Sequence, residues 1–249
     1  MRTLAIIQAR VGSSRLPGKV LSDIEGKPLV VHVIDRLKRC RLVDHIVLAT
    51  STLPQDRVLL DVAQSEGVEG FGGSEHDVLD RYYQAAKHHH PERVVRCTGD
   101  CPVIDSGVID FVIGRHMENG TDYTSNTLIR TYPRGLDTEV MTFRALEKAA
   151  TEAVKPYERE HVTPYIFEHP NLFSIANVVA PGHRDQPELR LTVDVQEDYD
   201  LIREIYRHLY DWNPQFSIDD ILDLFARYPH LKKINAHVKH KSMVWQEGI

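Results

Sequence analysis

The chain has 249 residues, of which 42% are hydrophobic and 27% charged, proportions that fit a globular protein with a well-buried core. A formal net charge of −6 excludes a general attraction to nucleic acid or to an anionic membrane, so any phosphate site must be local. The three cysteines are too few for a disulfide framework, and no apolar run approaches the roughly 18 residues that span a bilayer. We therefore predict a cytoplasmic protein, with one domain over residues 1–249 and neither nucleic acid nor membrane as a partner.

The first half of the chain alternates short apolar runs with amphipathic stretches, a pattern typical of strand–helix units and a parallel sheet. Pro28 suits the first position of a helix because its nitrogen has no hydrogen to donate there. Strands are predicted at residues 3–8, 45–50 and 93–97, with a short strand or turn at 68–73. Helices are predicted at residues 28–40, 54–66, 77–88 and 106–118.

The second half is less regular, but it contains no linker, repeat or low-complexity segment. Strands are predicted at residues 122–126, 137–143, 172–179 and 189–193. Helices are predicted at residues 144–154, 158–168, 197–210 and 218–227. Together the two halves predict an α/β fold: a three-layer α/β/α sandwich with a mostly parallel central sheet.

A glycine-containing loop with three cations follows the first predicted strand. Gly12 and Gly18 allow the backbone to approach a ligand closely, and backbone N–H groups in such a loop suit phosphate oxygens. The spacing is not that of a Walker A loop, because five residues separate the two glycines and Val20 follows the lysine. A surface turn with solvated charges is the alternative. The loop residues predicted to bind a nucleotide are Ala9, Arg10, Gly12, Ser13, Ser14, Arg15 and Lys19.

Two aspartates follow predicted strands, where ligands of open α/β sheets bind. Asp100 comes after the strand at 93–97, and Asp194 comes after the strand at 189–193. If both strands join one parallel sheet, the two carboxylates share an edge and could hold one Mg²⁺ ion. The alternative for Asp100 is to cap the following helix. The acidic residues 197, 198 and 200 are interpreted as first-turn residues that favour the helix dipole.

Other polar residues fall near the same edge or in the second half. Thr50, Gly73 and Ser74 are placed where base and ribose could be read, while Asp77 and Arg81 are either site groups or a surface pair. The acceptor is predicted to contact Arg134, Asp137, Glu139 and His161. Asp137 and Glu139 alternate and could face one side of a strand; the segment of His161 could equally be a solvated helix start.

Residues 88–90, three consecutive histidines, are interpreted as a solvated helix end rather than a metal site. Cys97 and Cys101 are predicted to be buried thiols beside the site.

Several motifs together resemble a known family. Residues 7–21 and 26–29, with Asp100 in Thr-Gly-Asp-Cys-Pro and Asp194 in Thr-Val-Asp-Val-Gln, are similar to the cytidylyltransferases that activate 3-deoxy-manno-octulosonate and acylneuraminates. Residues 73–81 and 133–140 resemble the spore coat polysaccharide biosynthesis branch. The resemblance implies a nucleotide-diphospho-sugar transferase-like fold, transfer of CMP from CTP to a sugar acid or similar small acceptor, release of pyrophosphate, Mg²⁺ as cofactor and a homodimer.

The resemblance also implies roles for single residues. Arg10 and Lys19 match loop residues that bind triphosphate in the family, and Asp100 and Asp194 match its metal-binding aspartates. Arg10, Lys19 and Asp100 are therefore the candidate catalytic residues. A glycosyltransferase of the related nucleotide-sugar-binding fold is the alternative function, although the usual Asp-x-Asp is replaced by Asp100-Cys-Pro after the central strand.

Overall fold

A computed structural model describes residues 2–239 of the chain. Buried apolar residues at the amino terminus form the central strand, in which Leu4, Ala5, Ile6 and Ile7 are fully buried. The strands are β1 (Thr3–Gln8), β2 (Asp23–Ile24), β3 (Lys27–Pro28), β4 (His45–Ser51), β5 (Glu69–Gly73), β6 (Arg93–Thr98), β7 (Tyr123–Ser125), β8 (Glu139–Thr142) and β9 (Ile175–Asn177).

Seven of these strands form one sheet in the order β5-β4-β1-β6-β8-β7-β9, and β2 and β3 form a separate small hairpin. Strands β5, β4, β1 and β6 are parallel to one another, so their carboxyl ends meet at one edge. Strand β8 runs antiparallel to both β6 and β7, whereas β7 and β9 are parallel. The prediction of a mostly parallel central sheet is confirmed.

The helices cover both faces of the sheet. They are α1 (Leu29–Leu37), α2 (Arg57–Ser65), α3 (Val78–Lys87), α4 (Ser106–Asn119), α5 (Phe143–Glu152), α6 (Pro156–His161), α7 (Pro164–Phe167), α8 (Gln196–Leu209) and α9 (Ile218–Arg227). Within residues 2–239, no helix combines the length and the apolar character needed to cross a membrane.

Alternation of side chains along β1 builds two separate cores. Ala5 and Ile7 pack into the core formed with α1, α2, α4, α8 and α9. Leu4 and Ile6 pack on the opposite face, into the core formed with α3, α5 and α7. Each fully buried aliphatic side chain of this size contributes about 1.5–3 kcal/mol. The three-layer α/β/α arrangement is therefore confirmed.

Two predicted helices differ from the structure near a proline. Helix α1 begins at Leu29, because Pro28 has an extended ψ of 141° and belongs to β3. The helix predicted at 158–168 is two short helices, α6 and α7. Val162 has a φ of 74° between them, a backbone conformation that a right-handed helix cannot contain, and Pro164 begins α7.

The strand predicted at residues 189–193 is also wrong. This segment lies outside the seven-stranded sheet and makes one isolated bridge, between Arg134 and Arg190. Leu191 and Val193 alternate because both are buried in the core, not because they pair in the sheet. The segment packs against Gly135, which has a φ of 101° and at which a Cβ would lie 2.5 Å from the carbonyl carbon of Leu191.

One buried histidine gives the fold a specific sensitivity to acid. His116, in α4, is 4% exposed, and its Nδ1 lies 3.2 Å from Oγ1 of Thr124. Burial lowers the pKa of His116 from 6.5 to about 4, with a further contribution from the charge of Arg93. Between these two pKa values the unfolded chain binds more protons than the folded chain, so stability falls as the pH falls.

We expect wild-type protein to lose about 3 kcal/mol of unfolding free energy through His116 between pH 6.5 and about pH 4. The His116→Gln variant should lack this component, because glutamine does not titrate. Urea unfolding across this pH range measures the difference. His88→Gln, at an exposed position, is the matched control and should follow the wild type. Identical pH slopes in wild type and His116→Gln would contradict the assignment.

The carboxyl ends of β1 and β6 lie close together because Gly99, which follows β6, has no side chain. The amide of Gly99 donates to the carbonyl oxygen of Gln8 at 2.8 Å. A Cβ at Gly99 would lie 2.8 Å from Cβ of Ala9 and 3.1 Å from the same carbonyl oxygen. Glycine at this position therefore lets the loop after β1 lie against the turn after β6.

Gly99→Ala should destabilise the protein by about 1–3 kcal/mol, the usual cost of an extra methyl group in a packed site. Adding Ala9→Gly removes the facing methyl group and should recover part of that cost, which a urea-unfolding double-mutant cycle measures. Gly114→Ala is the control: no heavy atom lies within 4 Å of its Cβ position, and mid-helix alanine should stabilise by about 0.5–1 kcal/mol. Strict additivity of the two changes would show that the close approach is not the cause.

Candidate active site

The loop after β1 is closed by its own backbone and fixed to the next strand. The amide of Gly18 donates to the carbonyl oxygen of Val11 at 3.0 Å, and Gly18 has a φ of 72°, which favours glycine. The amide of Val11 in turn donates to Oδ1 of Asp56 at 2.7 Å. Asp56 is 1% exposed, and its other oxygen accepts from the hydroxyl of Ser51 at the end of β4. Sequence reasoning missed Asp56, whose only signal is its place just after a strand.

Lys19 connects this loop to both aspartates. Its ammonium group donates to Oδ2 of Asp100 at 2.8 Å, to Oδ1 of Asp194 at 2.9 Å and to the carbonyl oxygen of Val193 at 2.6 Å. These three bonds use all the donors of the group. Burial is the largest single influence and acts to lower the pKa of Lys19, but the two carboxylates outweigh it and raise that pKa. The structure thus brings Lys19, Asp100 and Asp194 to one place.

Asp194 is held by three cations although it follows no sheet strand. Oδ1 also lies 3.0 Å from Arg15, and Oδ2 accepts from Arg190 at 2.5 Å. Burial acts to raise the pKa of Asp194, but Lys19, Arg190 and Arg15 lower it to about 2. The backbone amide of Val193 donates to the carbonyl oxygen of Asp100 at 2.9 Å, and this bond places the segment beside β6 in the absence of strand pairing.

Arg190 is a second functional residue that sequence reasoning missed. Its guanidinium binds both oxygens of Asp198 at 2.9–3.1 Å, and Asp198 is fully buried. Asp198 also accepts from the amides of Asp194 and Val195, which agrees with the predicted role at a helix start. The sequence offered one indication of this role, since Asp194 and Asp198 lie four and eight residues after Arg190.

Asp100 does not cap the helix that follows it. Asp105 does so instead, with Oδ1 accepting from the amide of Val108 at 3.0 Å, so the capping alternative for Asp100 is wrong. The side chain of Asp100 is 26% exposed. Its Oδ1 contacts the thiol of Cys101 at 3.6 Å, a weak donor, so this oxygen has capacity to bind a cation.

The cysteines are buried thiols, as predicted. Burial, and then the charges of Asp100 and Asp137, raise the pKa of Cys101 well above its usual value. The segment that leads to Asp137 adjoins the site through the backbone hydrogen bonds of Arg134 with Leu189 and Leu191. Burial likewise raises the pKa of Cys97 to about 12, so neither thiol is reactive near neutral pH.

The residues predicted to contact the base and ribose of the nucleotide lie in a second group, which adjoins Arg10. Arg10, half-exposed, lies 3.9 Å from Glu75, which follows Ser74. Arg81 is 2% exposed, packs against Gly73 and donates to the carbonyl oxygen of Ser74 at 3.0 Å. Its burial excludes the exposed-pair alternative.

Two further residues of this group, Asp77 and Thr50, have roles in the fold itself. Asp77 caps α3 by accepting from the amide of Asp80 at 2.9 Å, and it binds Arg159 at 2.5 Å. Thr50 is fully buried, and its hydroxyl has no hydrogen-bond partner among the residues described. The side chain of Thr50 is therefore a packing group, and only its backbone could face a nucleotide.

Two of the predicted acceptor residues carry ion pairs. Asp137 binds Arg130 through two bonds of 2.6 and 2.9 Å. Glu139 is 5% exposed and binds Arg96. Its other oxygen accepts from the hydroxyl groups of Thr163, at 2.7 Å, and Tyr123. Because the carboxylate of Glu139 is buried and pairs with Arg96, it positions that arginine and is not open to an acceptor. Sequence reasoning missed both arginines.

The other two predicted acceptor residues are half-buried. Burial lowers the pKa of Arg134, and the neighbouring charge of Arg130 adds to that effect. Burial also lowers the pKa of His161, Glu160 raises it, and Arg96 lowers it further. His161 lies two residues before Thr163, whose hydroxyl group donates to Glu139.

Comparison with known proteins gives a consistent assignment. Residues 4–221 match the family described as Cytidylyltransferase. The spore coat polysaccharide biosynthesis protein SpsF of Bacillus subtilis is 35% identical, over 91% of this chain and 95% of its own length. A 3-deoxy-manno-octulosonate cytidylyltransferase of Anaeromyxobacter sp. is 33% identical, over 81% of this chain and 88% of its own length.

A solved structure shows the same fold. The structure of a cytidylyltransferase from Leptospira borgpetersenii superimposes with a TM-score of 0.86 at 33% identity, covering 93% of this chain and 96% of its own. This similarity confirms the nucleotide-diphospho-sugar transferase-like fold, and the family match confirms the prediction of a nucleotidyltransferase that uses CTP. The chain belongs to the cytidylyltransferase family.

Proposed function

We propose that the protein is a Mg²⁺-dependent enzyme that transfers CMP from CTP to a sugar acid or similar small acceptor and releases pyrophosphate. The observation that carries this proposal is the bridge from Lys19 to Asp100 and Asp194 beside a closed glycine loop. It combines a phosphate-binding backbone, a local excess of cations and two carboxylates in an otherwise acidic protein.

The loop after β1 supplies the groups that a triphosphate needs. Its exposed backbone amides and the hydroxyl groups of Ser13 and Ser14 would donate to phosphate oxygens. The side chain of Arg10 is 50% exposed and 3.9 Å from its nearest acidic neighbour, so it is free to reach a ligand. Arg15, 34% exposed, would act beside it.

The two aspartates fit a Mg²⁺ ion. Mg²⁺ prefers oxygen ligands and usually binds one or two carboxylates together with phosphate oxygens and water. Among residues 2–239, Oδ1 of Asp100 has only the weak Cys101 contact, and each carboxylate oxygen can accept more than one bond. Asp100 and Asp194 would hold the ion, which when bound neutralises charge on the triphosphate.

The reaction is an in-line displacement at the α-phosphorus. An acceptor hydroxyl attacks the α-phosphorus and loses its proton to solvent, the bond from that phosphorus to the bridging oxygen breaks, and pyrophosphate leaves. Arg10, Arg15 and Lys19 would stabilise the negative charge that accumulates on the leaving oxygens, and such fixed charges supply most of the catalysis in phosphoryl transfer. Arg190 positions Asp194 through their 2.5 Å contact.

A sugar acid is the acceptor class that the second half of the chain supports. Arg134 is half-buried, and its backbone bonds to Leu189 and Leu191 in the segment that carries Asp194; a guanidinium group there would pair well with a carboxylate. Two of the relatives are named for spore coat polysaccharide biosynthesis and for 3-deoxy-manno-octulosonate, which supports a role in glycan precursor synthesis. Dimerisation stays a prediction; Ile129 and Val154, which are 66% and 85% exposed, are apolar groups that a partner could cover.

The glycosyltransferase alternative is disfavoured by one structural observation. Its Asp-x-Asp motif could correspond only to Asp198-Tyr-Asp200, but Asp198 is fully buried and bound to Arg190. Pyrophosphate release from CTP in the presence of an acceptor supports nucleotide transfer, whereas release of CDP or UDP from a nucleotide sugar supports the alternative. A screen of the four triphosphates against sugar acids, amino sugars and small phosphorylated acids would identify both substrates.

Lys19→Ala should lower kcat for pyrophosphate release by about 10²–10³-fold, the usual cost of removing one charge-stabilising group. Circular dichroism should show a folded protein. Lys38→Ala, at a surface ion pair, is the matched control and should keep its activity. Near-normal turnover of folded Lys19→Ala would rule out the proposed role.

Asp100→Asn should raise the Mg²⁺ concentration required for half-maximal activity, because an amide is a weaker ligand for Mg²⁺ than a carboxylate. A Mg²⁺ titration at saturating CTP measures this shift, with Asp211→Asn at an exposed position as the control. An unchanged titration would remove Asp100 from the metal site.

A further inference from the structure

A second group of metal-binding residue types lies at the opposite edge of the sheet from Lys19. His45 begins β4, Glu69 begins β5, and His89 follows the end of α3. Because β4 and β5 are parallel, their first residues lie at the amino edge, away from the loop after β1. The ligand atoms of these three side chains all lie within 4.8 Å of one another.

The two imidazoles converge on one carboxylate oxygen. Nε2 of His45 lies 3.0 Å from Oε2 of Glu69, and Nε2 of His89 lies 3.1 Å from the same atom. The two ring centroids are 4.9 Å apart. Three ligands from three different elements therefore already point to a common position, which limits the rearrangement needed to bind an ion.

His89 differs from the neighbours with which it forms the three-histidine run. His88 and His90 are exposed, whereas the side chain of His89 is 15% exposed. Its Nε2 is buried and lacks a hydrogen-bond partner among the described residues, since the alignment with Glu69 is not that of a hydrogen bond. The prediction of a solvated helix end is therefore wrong for the middle residue. A buried, unpartnered imidazole nitrogen is a costly arrangement unless a ligand completes it.

We propose that His45, Glu69 and His89 bind a divalent transition-metal ion, with Zn²⁺ as the best match. Two imidazole nitrogens and one carboxylate oxygen form a set that Zn²⁺ binds, with a water molecule as fourth ligand. In a tetrahedral site with bonds of about 2.0–2.1 Å, ligand atoms lie about 3.3 Å apart, close to the two distances to Glu69. Imidazole ligands favour Zn²⁺ over Mg²⁺, so this site is chemically distinct from the Asp100–Asp194 pair.

Such an ion would fix one end of α3 to two strands of the sheet. The other end of α3 carries Asp77 as its cap and, one turn on, Arg81, which donates to Ser74. An ion that binds only the folded chain stabilises it by mass action. The proposed ion would therefore stabilise the helix whose far end supports residues beside Arg10.

Calorimetric titration with Zn²⁺, in excess Mg²⁺ to occupy the aspartates, tests the site directly. Wild-type protein should bind one Zn²⁺ per chain with these ligands, and its Tm should rise with Zn²⁺ concentration. His89→Gln and His45→Gln should each lose this binding event and the rise in Tm. His88→Gln, an exposed residue of the same histidine run, is the matched control and should retain both.

Co²⁺ gives an independent readout, since its visible absorption reports nitrogen ligands and tetrahedral geometry. Wild type and His88→Gln should show the tetrahedral spectrum, and His89→Gln should not. Equal metal binding by wild type and both ligand variants, or no binding by wild type, would overturn the proposal. The Tm of each variant in the presence of a chelator separates loss of the site from loss of the fold.

Discussion

The ion bridge centred on Lys19 is the interaction on which the site depends. Its partners Asp100 and Asp194 lie 81 and 175 residues after Lys19. The bridge therefore joins the loops after the neighbouring strands β1 and β6 to a third segment that lies outside the sheet. Lys19 is 8% exposed, and removing one partner of such a buried pair leaves an uncompensated charge, commonly at a cost of about 3–5 kcal/mol. The same bridge places a cation and two carboxylates where a metal–triphosphate would need them.

Much of this arrangement follows from local sequence pattern. Strands β1, β4 and β6 are short apolar runs that their periodicity identifies, and the rule that ligands bind at strand carboxyl ends led to Lys19 and Asp100. Asp194 was assigned to the site for a wrong reason, because the alternation of apolar residues in its segment reflects burial and not sheet pairing. Asp56 could not be assigned from the sequence, since its role depends on a backbone amide 45 residues away.

The acceptor side shows where sequence reasoning has less to use. Asp137 and Glu139 were predicted to face one side of a strand because they alternate. In the structure each carboxylate forms an ion pair with a different arginine. The reason is topological: β8 runs antiparallel beside β6, and the register sets Glu139 opposite Arg96. Opposite charges at a cross-strand position stabilise the pair. Only the strand order shows that Arg96 is the neighbour of Glu139. The less regular pattern of the second half does not predict that order.

Asn235 makes the position of Asp194 depend on residues made late in synthesis. Its side-chain amide donates to the carbonyl oxygen of Arg190 at 3.0 Å and to Oδ1 of Asp198 at 2.9 Å, and 45 residues separate it from Arg190. The strands β1, β4, β5 and β6 can pair while the chain is still on the ribosome, because chains fold from the amino end as they emerge. Arg190 and Asp198, which support Asp194 from behind, gain their contacts with Asn235 only after that residue has emerged. The parallel strands can therefore form before the support of Asp194 is complete.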